Sequence, residues 1–280
     1  MPIPLPTLDH VVVNVRDQID AGAEAYRRLG FTLTPRGYHT LGSMNHLAMF
    51  GTDYLELIAA PAGDTRRPDV LGTPFGLNGL VFGTEDSASV HAALTDAGVS
   101  CGNPLEFSRP VMLGDGSSGD ATFRTVTLTP GTIPAGRIYF CHHFTRHLVW
   151  RDEWRHHANG AIAVARTIIA SRDPSVSGSV FMKMFGADAV RDIPGGCSLA
   201  VGLSRFDILT QEALVNQFGE AAPNGDGRPE FMAALTLRTR SLDAVASALD
   251  AGAVPGFWRE DGRVVVPATS AFGCALEFWA

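Results

Sequence analysis

Leu8-Asp9-His10-Val11-Val12-Val13-Asn14-Val15, then a helical stretch halted at Leu29-Gly30-Phe31, then Tyr54-Leu55-Glu56-Leu57: this succession decides how the chain folds. Valines in series read as a buried strand, because a β-branched side chain suits a pleated surface. Asp17 and Asp20 sit where negative charge favours a helix N-terminus, and the helical run Ala21 to Leu29 ends at Gly30. The same stop recurs as Ala97-Gly98-Val99, Phe185-Gly186-Ala187 and Ala251-Gly252-Ala253. Roughly twenty residues ahead of the four stops lie the β-rich runs Leu8 to Val15, Leu77 to Gly83, Ala161 to Ala170 and Phe231 to Leu237. A repeat of this kind fixes architecture before any single residue is read, and here it predicts an α+β chain of four β-α-β-β-β modules.

The closing strands repeat as well. Phe50-Gly51-Thr52-Asp53-Tyr54-Leu55-Glu56-Leu57 parallels Phe272-Gly273-Cys274-Ala275-Leu276-Glu277-Phe278-Trp279, and each carries one glutamate in an otherwise apolar run. A carboxylate there is costly to bury alone, so either that face is wet or the acid has a partner. In the second module a glycine- and serine-rich loop is expected over Gly114 to Asp120, with a strand from Ala121 to Leu128. In the third, a helix around Ser175 to Phe185 precedes strands Ser198 to Leu203 and Arg205 to Leu209. A break at Ala221 to Pro229 leads into the fourth, with a helix over Leu242 to Asp250 and strands near Phe257, at Val264 to Val266 and at Cys274 to Trp279.

With 280 residues and 45 % hydrophobic composition, the chain can bury one large or two ordinary cores. Four modules taken in pairs give an N-terminal pair over 1–141, a connector over 142–160 and a C-terminal pair over 161–280. The connector holds five of the nine histidines, together with Trp150 and Trp154. A plain linker would be richer in proline, glycine and serine, so this segment is expected to pack.

A net charge of −7 without a basic tract argues against nucleic acid as a partner. Met1-Pro2-Ile3-Pro4-Leu5-Pro6 lacks the pattern of a secretory signal, and no apolar run reaches membrane-spanning length. Cys101, Cys141, Cys197 and Cys274 show neither metal-type nor redox spacing, as reduced thiols would. The expectation is a cytoplasmic protein with a small-molecule substrate and no membrane partner; a homodimer stands among its expected states. Glycine-rich phosphate loops and nucleophile elbows are missing from the sequence, which leaves kinase and serine-hydrolase readings unsupported.

Leu8-Asp9-His10 followed by valines, the helix ending in Leu-Gly-Phe and the strand Tyr-Leu-Glu-Leu resemble the vicinal oxygen chelate superfamily, which includes glyoxalase I, bleomycin-resistance proteins and extradiol dioxygenases. His39 to Phe50, and Cys141 to Gly160 with its His157-Ala158-Asn159-Gly160, resemble more narrowly its glyoxalase-like domain family. The resemblance covers nearly the whole chain. It implies paired modules curling into open cups, with a divalent metal (iron, zinc or manganese) in some members and none in others, and with ligands on the first and last strands of a module.

Carried over by the glycine stops, the first module offers His10 and Glu56. The matching positions elsewhere are Asn78 and Tyr139, Arg166 and Asp207, and about Met232 with Glu277, so neither cup has a complete ligand set. About three protein ligands are needed, and a guanidinium cannot serve as one. His46 is the expected third metal ligand beside His10 and Glu56, with His39 or a linker histidine such as His143 as alternatives. Glu56 and His143 are the expected catalytic groups. Substrate contacts are expected from His39, Asn45, His157, Asn159, Arg166 and Glu277. Glu277 has two readings, a structural salt bridge with Arg166 or part of a cluster that grips a substrate carboxylate. Two functions follow: a glyoxalase- or dioxygenase-like enzyme whose metal polarises a carbonyl or enolate, and a metal-free protein that sequesters a small hydrophobic compound.

Overall fold

The computed structural model describes residues 2–113 and 116–280. Its first half contains β1 (Leu8–Asn14), α1 (Ile19–Arg28), β2 (Gly37–Tyr38), β3 (Met44–Met49) and β4 (Tyr54–Ala59), then a short α2 (Pro68–Leu71), then β5 (Gly76–Gly83), α3 (Ser87–Asp96), β6 (Leu105–Met112), β7 (Ser118–Thr127) and β8 (Arg137–His143). Its second half contains β9 (Ala161–Ser171), α4 (Pro174–Phe185), β10 (Val190–Ile193), β11 (Gly196–Val201), β12 (Ser204–Thr210), α5 (Gln211–Phe218), β13 (Glu230–Thr239), α6 (Leu242–Ala251), β14 (Trp258–Glu260), β15 (Arg263–Val266) and β16 (Ala275–Trp279).

Each half is one eight-stranded sheet, with orders β2-β3-β4-β1-β5-β8-β7-β6 and β10-β11-β12-β9-β13-β16-β15-β14. In every module the first strand runs parallel to the last, and the two first strands of a half pair antiparallel at the sheet centre. This is the fourfold β-α-β-β-β arrangement that the glycine stops predict. Gly30, Gly98 and Gly186 take positive φ, +87°, +67° and +99°, where a side chain would be strained. The fourth stop works differently. Gly252 is helical, and it must lack a Cβ because that atom would lie 2.0 Å from the Arg28 carbonyl oxygen of α1.

Alternation along β1 sorts its side chains. Val11 and Val13 enter a core continuous across both halves, while Val12 joins a separate apolar cluster inside the first sheet. That sheet nearly closes: Thr40, just after β2, donates its N–H to the Ser108 carbonyl on β6 at 3.0 Å, and the Ser108 N–H returns a bond to the Thr40 hydroxyl at 3.3 Å. The connector forms two short 3-10 turns, Arg146–Leu148 and Asp152–Trp154, and lays Leu148, Val149, Trp150 and Trp154 on the inner cluster.

The second concavity is filled. α5, which at Gln211–Phe218 is twice the length of its counterpart α2 (Pro68–Leu71) in the first half, inserts Leu214 and Phe218 among Ile168, Ala170, Leu209 and Phe231. Within the expected Gly114 to Asp120 loop, Ser118 to Asp120 belong to β7, while Gly114 and Asp115 lie outside the described residues. All four cysteines are free thiols, and among the described residues no helix is long and apolar enough to cross a membrane.

Candidate active site

A cavity of about 200 Å³ occupies the interior of the first sheet. The inward register of β1 and β4 brings His10 and Glu56 to its wall, with His10 Nε2 3.7 Å from Glu56 Oε2. His10 stacks on Tyr54 with ring centroids 4.3 Å apart, and its Nε2 lies 3.1 Å from the Tyr139 hydroxyl on β8.

Behind His10, outside the cavity wall, Asp9 Oδ1 contacts His10 Nδ1 at 2.6 Å and His143 Nε2 at 3.0 Å. Register shifts by one residue between Leu8 and His10, and this bulge is what lets two successive residues serve one network. Burial acts to raise the Asp9 pKa, but His143 and the His10 hydrogen bond outweigh it and hold the carboxyl well below its usual range. An ionised carboxylate only accepts, so His10 Nδ1 and His143 Nε2 must both carry hydrogen. The other ring nitrogen, His10 Nε2, faces the cavity beside the Tyr139 hydroxyl and is the position at which the ring can exchange a proton with a ligand. His143 Nδ1 is buried without a partner.

Glu56 is similarly fixed as an anion. Burial opposes ionisation, but His10 and the Asn45 amide, which donates to Oε1 at 2.6 Å, hold its pKa below the usual value. Asn45 Nδ2 also faces His39 Nε2 at 3.4 Å, and His39 Nδ1 reaches the Ser43 hydroxyl at 2.9 Å. Burial above all, with Arg109 and Arg67 adding to it, lowers the His39 pKa to about 4 despite Glu56, so this ring is neutral. Burial pushes the Tyr54 and Tyr139 phenols well above their usual range, which keeps both as hydroxyl donors.

The far wall is cationic. Arg67 grips Asp69 with two bonds, at 2.9 and 2.8 Å, and Arg137 shares the same carboxylate at 3.0 Å. Arg109, on β6, is 5 % exposed. Among the described residues its guanidinium has no carboxylate within ion-pair distance, and burial lowers its pKa. Phe107 and Phe123, stacked with centroids 5.2 Å apart, line the same side.

Comparison with known proteins gives the geometry a family. The glyoxalase-like domain matches residues 8–185. The chain belongs to the glyoxalase-like domain family. Similar solved structures include a hypothetical protein from Staphylococcus aureus (13 % identity, 97 % of this chain and 98 % of that one, TM-score 0.67). A triple mutant of 4-hydroxymandelate synthase from Streptomyces coelicolor is similar at 13 % identity, covering 99 % and 92 % of the two chains, with a TM-score of 0.57. A fusion of a xylose isomerase-like TIM barrel with 4-hydroxyphenylpyruvate dioxygenase is similar at 12 % identity over 99 % of this chain and 49 % of that one, TM-score 0.60. No curated protein matches. The glyoxalase-like domain here therefore carries the vicinal oxygen chelate fold.

Several residues expected at the site of this glyoxalase-like protein lie elsewhere. His46 is on the opposite face of β3 from Asn45 and Leu47, with Nδ1 bonded to the Thr34 carbonyl at 2.7 Å; strand alternation turns it out of the cavity. His157 is a strut, accepting from the Thr32 N–H through Nδ1 at 3.0 Å and donating from Nε2 to the Met49 carbonyl at 2.9 Å. Asn159 is fully buried between the Leu29 carbonyl and the Ala161 N–H. Both serve the joint between halves. Arg166 pairs with Asp207 and Gln217, whereas Glu277 accepts from Thr236 at 2.7 Å and Arg263 at 2.8 Å. The two do not bond to each other, and their network sits beside α5 in the filled second half. His143 lies outside the cavity, bonded to Asp9 and packed edge-on against Phe123 of the wall at 4.9 Å. His39 and Asn45 do line the cavity.

Arg67, Arg109 and Arg137 escaped sequence reading because a loop, the edge strand β6 and the interior strand β8 bring them in from separate parts of the chain. The signal for Arg109 was period two: Phe107, Arg109 and Val111 share one face of β6.

Two donor groups bear on the divalent metal implied by the family resemblance. Asp9, Cys141 and His143 present ligand atoms within 4.8 Å of one another, compatible in type and spacing with such an ion. Asp9 is already occupied by two histidines, however, and Arg146 Nη1 lies 3.7 Å from its Oδ2. Burial, reinforced by Asp9 and Glu56, drives the Cys141 thiol well above its usual pKa. In the cavity itself His10, Glu56 and His39 all lie on the wall, but among the described residues their ligand atoms do not come together within 4.8 Å as a group of three, and three guanidiniums share the space. The cavity residues do not by themselves complete a metal site.

Proposed function

We propose that the cavity of the first half is the active centre of an enzyme that moves a proton on a small organic molecule beside its carbonyl group. The observation that carries this reading is the His10 imidazole, aimed into the cavity through Nε2 and backed by ionised Asp9 at 2.6 Å. A base so oriented takes a proton from the carbon next to the carbonyl, and the C–H electron pair moves to the carbonyl oxygen as an enolate. Asp9 and Glu56 stabilise the resulting imidazolium, and the Tyr139 hydroxyl, 3.1 Å from Nε2, donates to the developing oxyanion. Returning a proton to the same carbon restores the carbonyl compound, with the hydrogen exchanged for one from solvent or the configuration at that carbon inverted. No step is routed through a metal, because the cavity donors fall short of a ligand set.

The test is solvent-deuterium incorporation, followed by NMR, across a panel of small 2-oxo acids and aldehydes. His10→Gln is expected to slow exchange about a hundredfold or more, and Glu56→Gln to slow it less. Metal content is measured on the same samples: stoichiometric iron, zinc or manganese that disappears in His10→Gln overturns the metal-free form. Binding without exchange would favour the second reading, a sequestering protein, which the stacked Phe107 and Phe123 in the wall support.

A further inference from the structure

We propose that the ligand of this cavity is a monocarboxylate with a compact apolar body, gripped by Arg109. The inference rests on the proposed function for the place of binding, not for the chemistry. Its starting point is an anomaly of charge. Arg109 is 5 % exposed, and among the described residues its guanidinium makes neither an ion pair nor a side-chain hydrogen bond. Buried charges are ordinarily paired, and an isolated one is strongly disfavoured. Every other cation in the wall has its counter-ion, since Arg67 and Arg137 share Asp69.

The wall as a whole carries three guanidiniums against two carboxylates, Glu56 and Asp69. One positive charge is left over, and a single negative charge on the ligand balances it. Phosphate monoesters bring nearly two, which fits less well. A guanidinium fork and a carboxylate match in plane and spacing, so a bidentate contact is available. Asn45 Oδ1, also buried without a partner, offers an acceptor for a ligand hydroxyl on the same side. A Cβ on Gly37 would stand 2.5 Å from Asn45 Oδ1 and 2.7 Å from Arg109 Nη1, so the glycine of β2 keeps both groups in place.

The remaining wall sets the body of the ligand. Phe107, Phe123, Leu41, Leu47 and Val149 make it apolar. A cavity of about 150 Å³ accommodates benzene, so about 200 Å³ suits one ring plus its carboxylate.

Calorimetric titration of the full chain with benzoate, benzamide and inorganic phosphate tests the proposal. Benzoate is expected to bind at least tenfold more tightly than benzamide or phosphate. Arg109→Met should weaken benzoate at least tenfold and leave benzamide unchanged, with Arg109→Lys between the two. Gly37→Ala provides a second route to the same loss should Arg109→Met fail to fold. Equal binding of benzoate and benzamide, tighter binding of phosphate, no benzoate binding, or indifference of benzoate to both substitutions would each overturn it. His10→Gln separates this claim from the proposed chemistry: benzoate affinity should stay within about threefold while exchange is lost.

Discussion

Replacing Asp53 by Asn should stabilise the protein above neutral pH and leave it unchanged near pH 4. Asp53 immediately precedes β4 and is 3 % exposed, and its Oδ1 accepts the Val164 N–H of β9 at 2.9 Å. Burial raises its pKa from 3.8 to about 7, against the bonds from Val164 and Thr52. In the folded chain the carboxyl therefore holds its proton up to about pH 7, while in the unfolded chain it releases it near pH 4. Between these values the folded state binds more protons, so stability falls as pH rises. About three pKa units at 1.36 kcal/mol each amount to about 4 kcal/mol, fully expressed above pH 7. Asparagine keeps the acceptor for Val164 and cannot ionise; the loss of the Thr52 hydroxyl contact, 3.3 Å long, costs well under about 1 kcal/mol. Urea denaturation of both proteins at pH 4, 5.5 and 8 reads the difference directly. A gap that does not widen with pH, or a wild type more stable than the variant at pH 8, would refute the assignment of a buried, reluctant carboxyl.

The His39 ring titrates in the opposite sense. Its pKa is depressed to about 4, so relative to His39→Gln the wild type should lose up to about 3 kcal/mol as pH falls from 7 to 4. The Asp53 and His39 windows overlap with opposite signs and partly offset each other, so each slope is read only by comparison with its own variant. Gly252→Ala should cost about 2–4 kcal/mol in chemical denaturation, because the added carbon meets the Arg28 backbone at 2.0 Å; an unaffected midpoint would rule out that close approach of α1 and α6. His46→Gln should leave turnover and metal content within about twofold of the parent, since its ring faces away from the cavity; a larger loss would restore it as a ligand.

His10 and Glu56 show how far linear sequence reaches. Each lies on a strand whose position a repeat and a glycine stop define, and period two then puts both on one face. His46 shows the limit. It neighbours Asn45, and only the register of β3 against β4, with His46 opposite Leu57, determines which of the two turns inward. The histidines of the connector illustrate another limit, because irregular backbone carries no period from which to read direction. His157 and Asn159 spend their polar atoms on the backbone of the joint.

The amino-acid sequence alone determined the four modules, their pairing and the strands that present His10 and Glu56, because hydrophobic period and glycine stops are local properties of a chain. Tertiary structure alone decided that one half is hollow and the other filled. α5, longer than its counterpart α2, packs Phe218 and Gln217 where a second cavity would be. Arg67, Arg109 and Arg137 converge from a loop and two distant strands, and whether a charge is paired is a property of the space around it.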